Sequence, residues 1–300
     1  MSSQTFPETR IWRNVNTDYH GFHLAVPKDH LIRSILQRQP RREEGLRISA
    51  RYVFHKHPSA TYVDVGANIG DTAAIVRLES ACKMVLIEPS DIFFPYLVRN
   101  LPALGNATAF HGFLVPASAK LQNFSLEHNE STARPQLNDE SVSAARNTPN
   151  FTLGDVYRSA IGDLIKLDTD GYDMELIREY AHDFSQHKTN LYFELEVRSW
   201  DDVEAWNETL SLLFRIGYSS FLFWDDPGHY MGQATEPSQA VDLLRWQYSY
   251  RNPHHFGEIR IYNFDVLATA PFDADIAEGI ATHYSRKIAW DIAYKQQEEK

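Results

Sequence analysis

The stretch "TYVDVGANIGDTAA", residues 61–74, decides the fold. Thr61 to Val65 is a β-rich apolar run interrupted only by Asp64, two residues before Gly66. Gly66 and Gly70 punctuate the turn, and helix-forming sequence resumes at Asp71. A buried strand that turns on glycines into a helix opens a βα unit. The alternation continues downstream. "KMVLIEP" reads as a strand, "SDIFFPYLVRNLPALGN" as a helix capped by Ser90 or Asp91, and "ATAFHGFLV" as a third strand. "DLIKLD" and "NLYFELEV" are a fourth and fifth strand with "GYDMELIREYAHDF" as the helix between them. "WNETLSLLFRIG" is a further helix, and "YSSFLFW" and "EIRIYNFDVLAT" are late strands. Strands alternating with helices predict parallel crossovers in an open, doubly wound α/β sheet.

Around this core the chain predicts a helical N-terminal lead-in over residues 1–60, a main domain over 61–270 and a helical C-terminal tail over 271–300. The lead-in rests on "DHLIRSILQRQP" and "GLRISARYVFHKHP", each apolar on one face and each ended by a proline. Residues 115–150, rich in Ser, Asn and Pro, read as a long loop or edge hairpin. A net charge of −11 without a basic block argues against nucleic acid or an anionic membrane as partner. No apolar run reaches the length of a membrane span and no signal peptide is visible. Cys82 is the single cysteine, so an internal disulfide is excluded. A cytoplasmic location is the expectation.

In an open α/β sheet the ligand sits at the carboxyl ends of the strands, beside the first one. Gly66 and Gly70 let backbone approach a ligand there, and the following helix turns its N–H groups toward the same crevice. Asp64 ends the first strand and Glu88 ends the next, where a carboxylate can accept both hydroxyls of a ribose. The dinucleotide pattern would need glycines at 66, 68 and 71, and the sequence has Asn68 and Asp71 at the last two. An acid at the helix start would repel a pyrophosphate. A cationic, phosphate-free nucleoside, S-adenosylmethionine, suits the paired acids better.

"VDVGANIGDT" resembles the first motif of the FkbM family of methyltransferases, D-x-G-A-N-x-G after strand one. "LIEPS", with Glu88 and Pro89, resembles its strand-two motif, and "FPYLVRNL" its following helix. "DLIKLDTDGYDMELI" resembles its signature after strand four, "YFELE" its strand-five motif and "LFRIGY" its late helix. The likeness runs from about Tyr62 to Trp224. One departure stands out: Thr169-Asp170 occupies the place of the usual Val-Glu. The resemblance implies a Rossmann-like class I methyltransferase fold, with a mostly parallel seven-stranded sheet whose last strand is antiparallel. It implies methyl transfer from S-adenosylmethionine to a hydroxyl of a glycan or sugar-bearing small molecule. Asp64, Gly66, Asn68, Gly70, Asp71, Thr72, Glu88, Pro89 and Asp168 are the expected cofactor-binding residues.

The sulfonium is already an activated donor, so the enzyme must align the acceptor and remove a hydroxyl proton. Asp168 ends strand four, Asp170 lies in its turn, and Glu194 and Glu196 share one face of strand five. Such hard oxygens fit either a carboxylate base or a Mg²⁺, Ca²⁺ or Mn²⁺ ion, and the choice stays open, as does the base's identity. Asp168, Asp170, Glu194 and His229 are the catalytic candidates, with His111 also near the cleft edge. The aromatics from Tyr192 to Phe264 fill the core, a homo-oligomer interface or a sugar-stacking surface; Trp224 and Tyr230 flank a Pro-Gly loop at the cleft end. Two other functions remain open: a NAD-dependent oxidoreductase, disfavoured by the missing third glycine, and a nucleoside-binding module without catalysis.

Overall fold

The computed structural model describes residues 9–13, 22–28, 30–119, 124–129, 132–137, 148–251 and 263–298. The chain opens with β1 (Thr9–Arg13) and β2 (His23–Pro27), an antiparallel pair, followed by α1 (Ile32–Arg38) and α2 (Glu44–Lys56). The lead-in is therefore not purely helical. "HLAVP" is short, apolar and ended by proline, a strand signature rather than a helical one.

Then come β3 (Thr61–Val65), α3 (Asp71–Glu79), β4 (Lys83–Glu88), α4 (Phe94–Leu104) and β5 (Ala107–His111). Beyond them lie β6 (Phe113–Leu114), the hairpin β7 (Phe124–Asn129) and β8 (Thr132–Leu137), β9 (Asn150–Phe151) and α5 (Leu153–Tyr157). The second half holds β10 (Leu164–Leu167), α6 (Asp173–Gln186), β11 (Asn190–Glu196), α7 (Trp200–Arg215) and β12 (Ser220–Asp225). It closes with β13 (Tyr230–Ala234), α8 (Pro237–Arg251), β14 (Asn263–Thr269) and α9 (Ala274–Glu298).

The main sheet has the order β13-β12-β14-β11-β10-β3-β4-β5. β5, β4, β3, β10 and β11 run parallel, and β14 inserts antiparallel between β11 and β12. This is a class I methyltransferase sheet of seven strands. It carries an eighth, β13, paired antiparallel to β12 at the edge. β13 hides in the sequence because "YMGQA" is short, half-buried and holds a glycine.

Strand alternation divides the core into two layers. Tyr62, Met84 and Leu86 face α2, α3 and α9, where Leu46, Val53 and Ile280 are buried. Val63, Val65, Val85 and Ile87 face the opposite layer with Leu176, Ile177, Phe184 and Leu210. The apolar spacing of α6 and the Ser199–Asp202 capping box of α7 account for those helices. β2 is tied to α4 by Asn100, whose side chain accepts from Ala25 N–H at 2.7 Å and donates to the Ala25 carbonyl at 3.0 Å. Among the described residues no helix is long and apolar enough to cross a membrane.

Candidate functional site

A cavity opens at the carboxyl ends of β3, β4 and β10. Its floor is the glycine turn that follows β3. Gly66, Asn68 and Gly70 have φ of 83°, 50° and 87°, so the turn is built from left-handed residues. A Cβ on Gly66 would lie 1.8 Å from the Asp168 carbonyl oxygen, which is why strand one must end in glycine. Glu88 stands in the wall, 3% exposed. Its Oε2 accepts from Asn68 N–H and its Oε1 from Ser90 N–H, both at 2.7 Å. Burial pushes its carboxyl up to about 7, although those two N–H groups oppose the shift. Ser90 also caps the turn into α4, accepting from Ile92 and Phe93 N–H at 3.1 and 3.2 Å.

Asp64 does not line the cavity. It lies beneath it, fully buried, accepting from Tyr62 Oη at 3.0 Å and Thr72 Oγ1 at 2.7 Å. Among the described residues its other oxygen, Oδ1, has no hydrogen bond and only Lys166 Nζ at 3.6 Å. Lys166, 4% exposed, spans to Asp168 Oδ2 at 2.9 Å. Leu164 and Lys166 alternate onto one face of β10, and Asp168 follows just past the strand's end. Burial alone would raise the Asp168 carboxyl; the Lys166 ammonium and, further off, Arg42 outweigh it and hold it below its ordinary value. The Asp168 side chain is 43% exposed and faces the cavity.

Asp170 also lines the cavity, at a left-handed φ of 55°. Its Oδ2 accepts from Ala133 N–H at 3.1 Å and its carbonyl from Arg134 Nε at 2.9 Å, so it anchors β8. Burial, then the charge of Asp168, raises its carboxyl to about 6. The segment read as a loop or edge hairpin thus supplies a roof: Phe124, Ala133 and Pro135 line the cavity. Phe93, Phe113, Leu114 and Tyr172 make its apolar walls. Among the described residues three acids and no basic residue line it.

Glu194 does not line the cavity: it lies on β11, paired across the sheet with Asp265, and accepts from Asn263 Nδ2. Burial, then the charges of Asp168 and Asp173, raises its carboxyl well above the ordinary range. Glu43 at the start of α2 is pushed up to about 7 by burial. Asp173, held by Thr169 N–H at 3.0 Å and Thr169 Oγ1 at 2.9 Å, is raised to about 7, first by burial and then by Asp168. Glu43, Asp173 and Asp265 escaped sequence reasoning because nothing in spacing ties them to strand four. Among the described residues no three His, Cys, Asp or Glu side chains form a metal-ligand set.

The structure does not bring His229 to the cavity. It lies on the turn after β12, its N–H and Nδ1 both engaged by Asp225, at 2.6 and 3.1 Å. His111 is likewise structural, stacked on Phe94 with Nε2 3.2 Å from the Pro89 carbonyl. Pro89 itself lines the cavity, whereas Asp71 and Thr72 begin α3 outside it. Trp224 is fully buried, donating to Tyr284 Oη at 3.1 Å, and Tyr230 stacks on Tyr284; the sugar-stacking expectation for Trp224 fails because its ring has no exposed face. His254 and His255 lie outside the described residues. Cys82 is buried.

The sequence profile described as the Methyltransferase FkbM domain matches residues 64–220, just over half of the chain. No curated protein sequence matches. Among solved structures, a human methyltransferase 10 domain containing protein aligns with 12% identity and a TM-score of 0.40, covering 77% of this chain and 81% of its own. Methyltransferase FkbM from Methylobacillus flagellatus KT aligns with 16% identity and a TM-score of 0.38, covering 70% and 43%. Aeropyrum pernix fibrillarin, solved with natively bound S-adenosyl-L-methionine, aligns with 9% identity and a TM-score of 0.36, covering 70% and 66%.

Proposed function

Because the chain belongs to the FkbM family of methyltransferases, we propose that it transfers the methyl group of S-adenosylmethionine to a hydroxyl of a glycan or a sugar-bearing small molecule. The observation that carries this reading is the cavity lining among the described residues: Glu88, Asp168 and Asp170 without a lysine or arginine. Such a surface suits a cationic, phosphate-free nucleoside and repels a dinucleotide's pyrophosphate. The residues fit that donor. Glu88, fixed through both oxygens, has lone pairs left for the ribose hydroxyls. Phe93, Phe113 and Leu114 offer an apolar wall to a purine.

When bound, the donor supplies an activated methyl group. The chain's own residues do the rest. Asp168, kept ionised by Lys166, places negative charge at the cavity and orients the hydrogen-bonding partners that enter it. Its lowered pKa makes it a poor proton acceptor, whereas Asp170, raised to about 6, is still mostly ionised at neutral pH and is the better placed of the two to take up a proton at a carboxyl oxygen. Phe124 and Pro135 keep water from the roof. The acids nearby already have partners: Lys166 for Asp168, Thr169 for Asp173 and Asn263 for Glu194. This favours proton transfer to a carboxylate over a metal-bound alkoxide. Trp200, 45% exposed at the start of α7 on the same end of the sheet, offers a ring face to a sugar.

Calorimetric titration with S-adenosylmethionine and with NADH, followed by label transfer from methyl-labelled donor to a panel of sugar hydroxyls, tests the reading. Binding of the sulfonium donor and label on a sugar oxygen, undiminished by EDTA, is expected. NADH binding in its place would sink it, and an EDTA-abolished rate would overturn the metal-free part.

A further inference from the structure

Two histidines reach the same carboxylate through one intermediary each. His30, in the lead-in before α1, has Nδ1 3.2 Å from Ile32 N–H, which must donate to it. The proton of that imidazole therefore sits on Nε2, which lies 3.1 Å from Asn68 Oδ1 and donates to it. Asn68 in turn gives its N–H to Glu88 Oε2. On the other side, Ser90 Oγ already accepts two backbone N–H groups and gives its own proton to His128 Nε2 at 2.8 Å. Ser90 N–H is the second donor to Glu88. Both rings also meet Phe93 edge-on, His30 at 5.6 Å and His128 at 6.0 Å between centroids, and Phe93 lines the cavity.

We propose that His30 and His128 are positioning residues for the donor: each holds one of the two groups whose N–H fixes the Glu88 carboxylate, so that it meets the ribose hydroxyls in one orientation. The assignment rests on the cofactor reading above. His30 lies outside residues 64–220, and His128 lies on β7, so neither belongs to a βα turn of the sheet. Asn68 is held at a left-handed φ of 50°, a conformation that gains from an external tether. A carboxylate bound by two N–H groups whose own residues could rotate would lose its orientation; the two rings remove that freedom.

The test uses the full-length protein and two probes, S-adenosylhomocysteine and its 2′,3′-dideoxy analogue. His30→Asn keeps an acceptor for Ile32 N–H but cannot reach Asn68; His30→Gln restores a donor at the Nε2 position. His128→Phe keeps the ring against Phe93 and loses the acceptor; His128→Gln returns one. We expect His30→Asn and His128→Phe each to weaken S-adenosylhomocysteine binding by about three- to tenfold, the net value of one hydrogen bond. Binding of the dideoxy analogue stays unchanged, and both glutamine variants recover most of the loss. Thermal unfolding confirms that the variants are folded. Unchanged S-adenosylhomocysteine affinity in the Asn and Phe variants overturns the proposal, as does an equal loss for both probes or no recovery with glutamine. A wild-type protein that binds neither probe overturns the cofactor reading itself, and this proposal with it.

Discussion

Gly66 and Gly70 share a left-handed backbone but not its consequences. Alanine at 66 would drive a methyl group into the Asp168 carbonyl at 1.8 Å, whereas at 70 it would meet only the tips of Leu97 and Leu104 at 3.0 Å. Backbone cannot yield as a leucine rotamer can. Gly70→Ala should therefore cost about 1–2 kcal/mol, the penalty of the left-handed region, and Gly66→Ala several-fold more, with loss of donor binding. Urea denaturation of both variants measures this, and equal losses would refute it. Lys166 is the other residue on which much rests, being the sole cation within ion-pair reach of Asp64 among the described residues. Lys166→Met should destabilise by about 3–5 kcal/mol, the cost of leaving a buried charge unpaired. Burial raises the Asp64 carboxyl, so the folded state favours its proton. The loss should accordingly grow with rising pH, and a second change, Asp64→Asn, should recover part of it.

At the scale of elements, the hairpin of β7 and β8 converts an open crevice into a roofed cavity, and Asp170 is its anchor on the β10 side. The residue has two separable duties. Asp170→Asn keeps the left-handed preference and an acceptor oxygen for Ala133 N–H, but cannot take a proton. It should lower turnover by about 10²-fold while leaving the donor's dissociation rate near wild type. Asp170→Ala loses the anchor too, and donor dissociation should quicken. Stopped-flow release of a fluorescent donor analogue decides this; identical off-rates in the two variants would remove the anchor from the account. The strands, the glycine turn and Glu88 were legible in the sequence because period, glycine spacing and a strand-end acid are local signals. An edge hairpin was one of the two readings of residues 115–150, but its place over the cavity was not legible, since nothing in "FSLEHN" or "TARPQL" points to Asp170 or Ser90. The approach of His30 and Glu43 depends on how the lead-in crosses the sheet, which no local pattern encodes.

Across the whole molecule, the buried acids set the pH response. Glu88, Glu43 and Asp173 are raised to about 7 and Asp170 to about 6, mainly by burial. A raised carboxyl contributes stability that is complete below its unfolded pKa and disappears as pH rises through its folded value. Glu79 and Asp273 act the other way. Burial would raise them, but hydrogen bonds and charges from Arg51, Arg47, Lys56 and His57 hold them low, so their contribution is lost as pH falls below about 4. His30, depressed by burial, opposes the first group, but four carboxyls outnumber it. The protein without donor should be most stable at about pH 5 and lose stability toward pH 8. Asp173→Asn, which can still accept from Thr169, should flatten that decline; a urea midpoint rising from pH 5 to 8 would contradict the argument.

β14 reaches the sheet last in sequence and yet lies between β11 and β12, which were made long before it. On the ribosome, roughly 40 to 70 residues of synthesis separate those strands from the one that joins them. Until residues 263–269 emerge, two apolar strands present bare edges to whatever else is nascent nearby. The family-matched stretch, ending at 220, should for the same reason fail to fold on its own. A recombinant fragment of it would leave β11 with one side unpaired and aggregate, and an exchange of active sites between relatives would have to carry the final strand along.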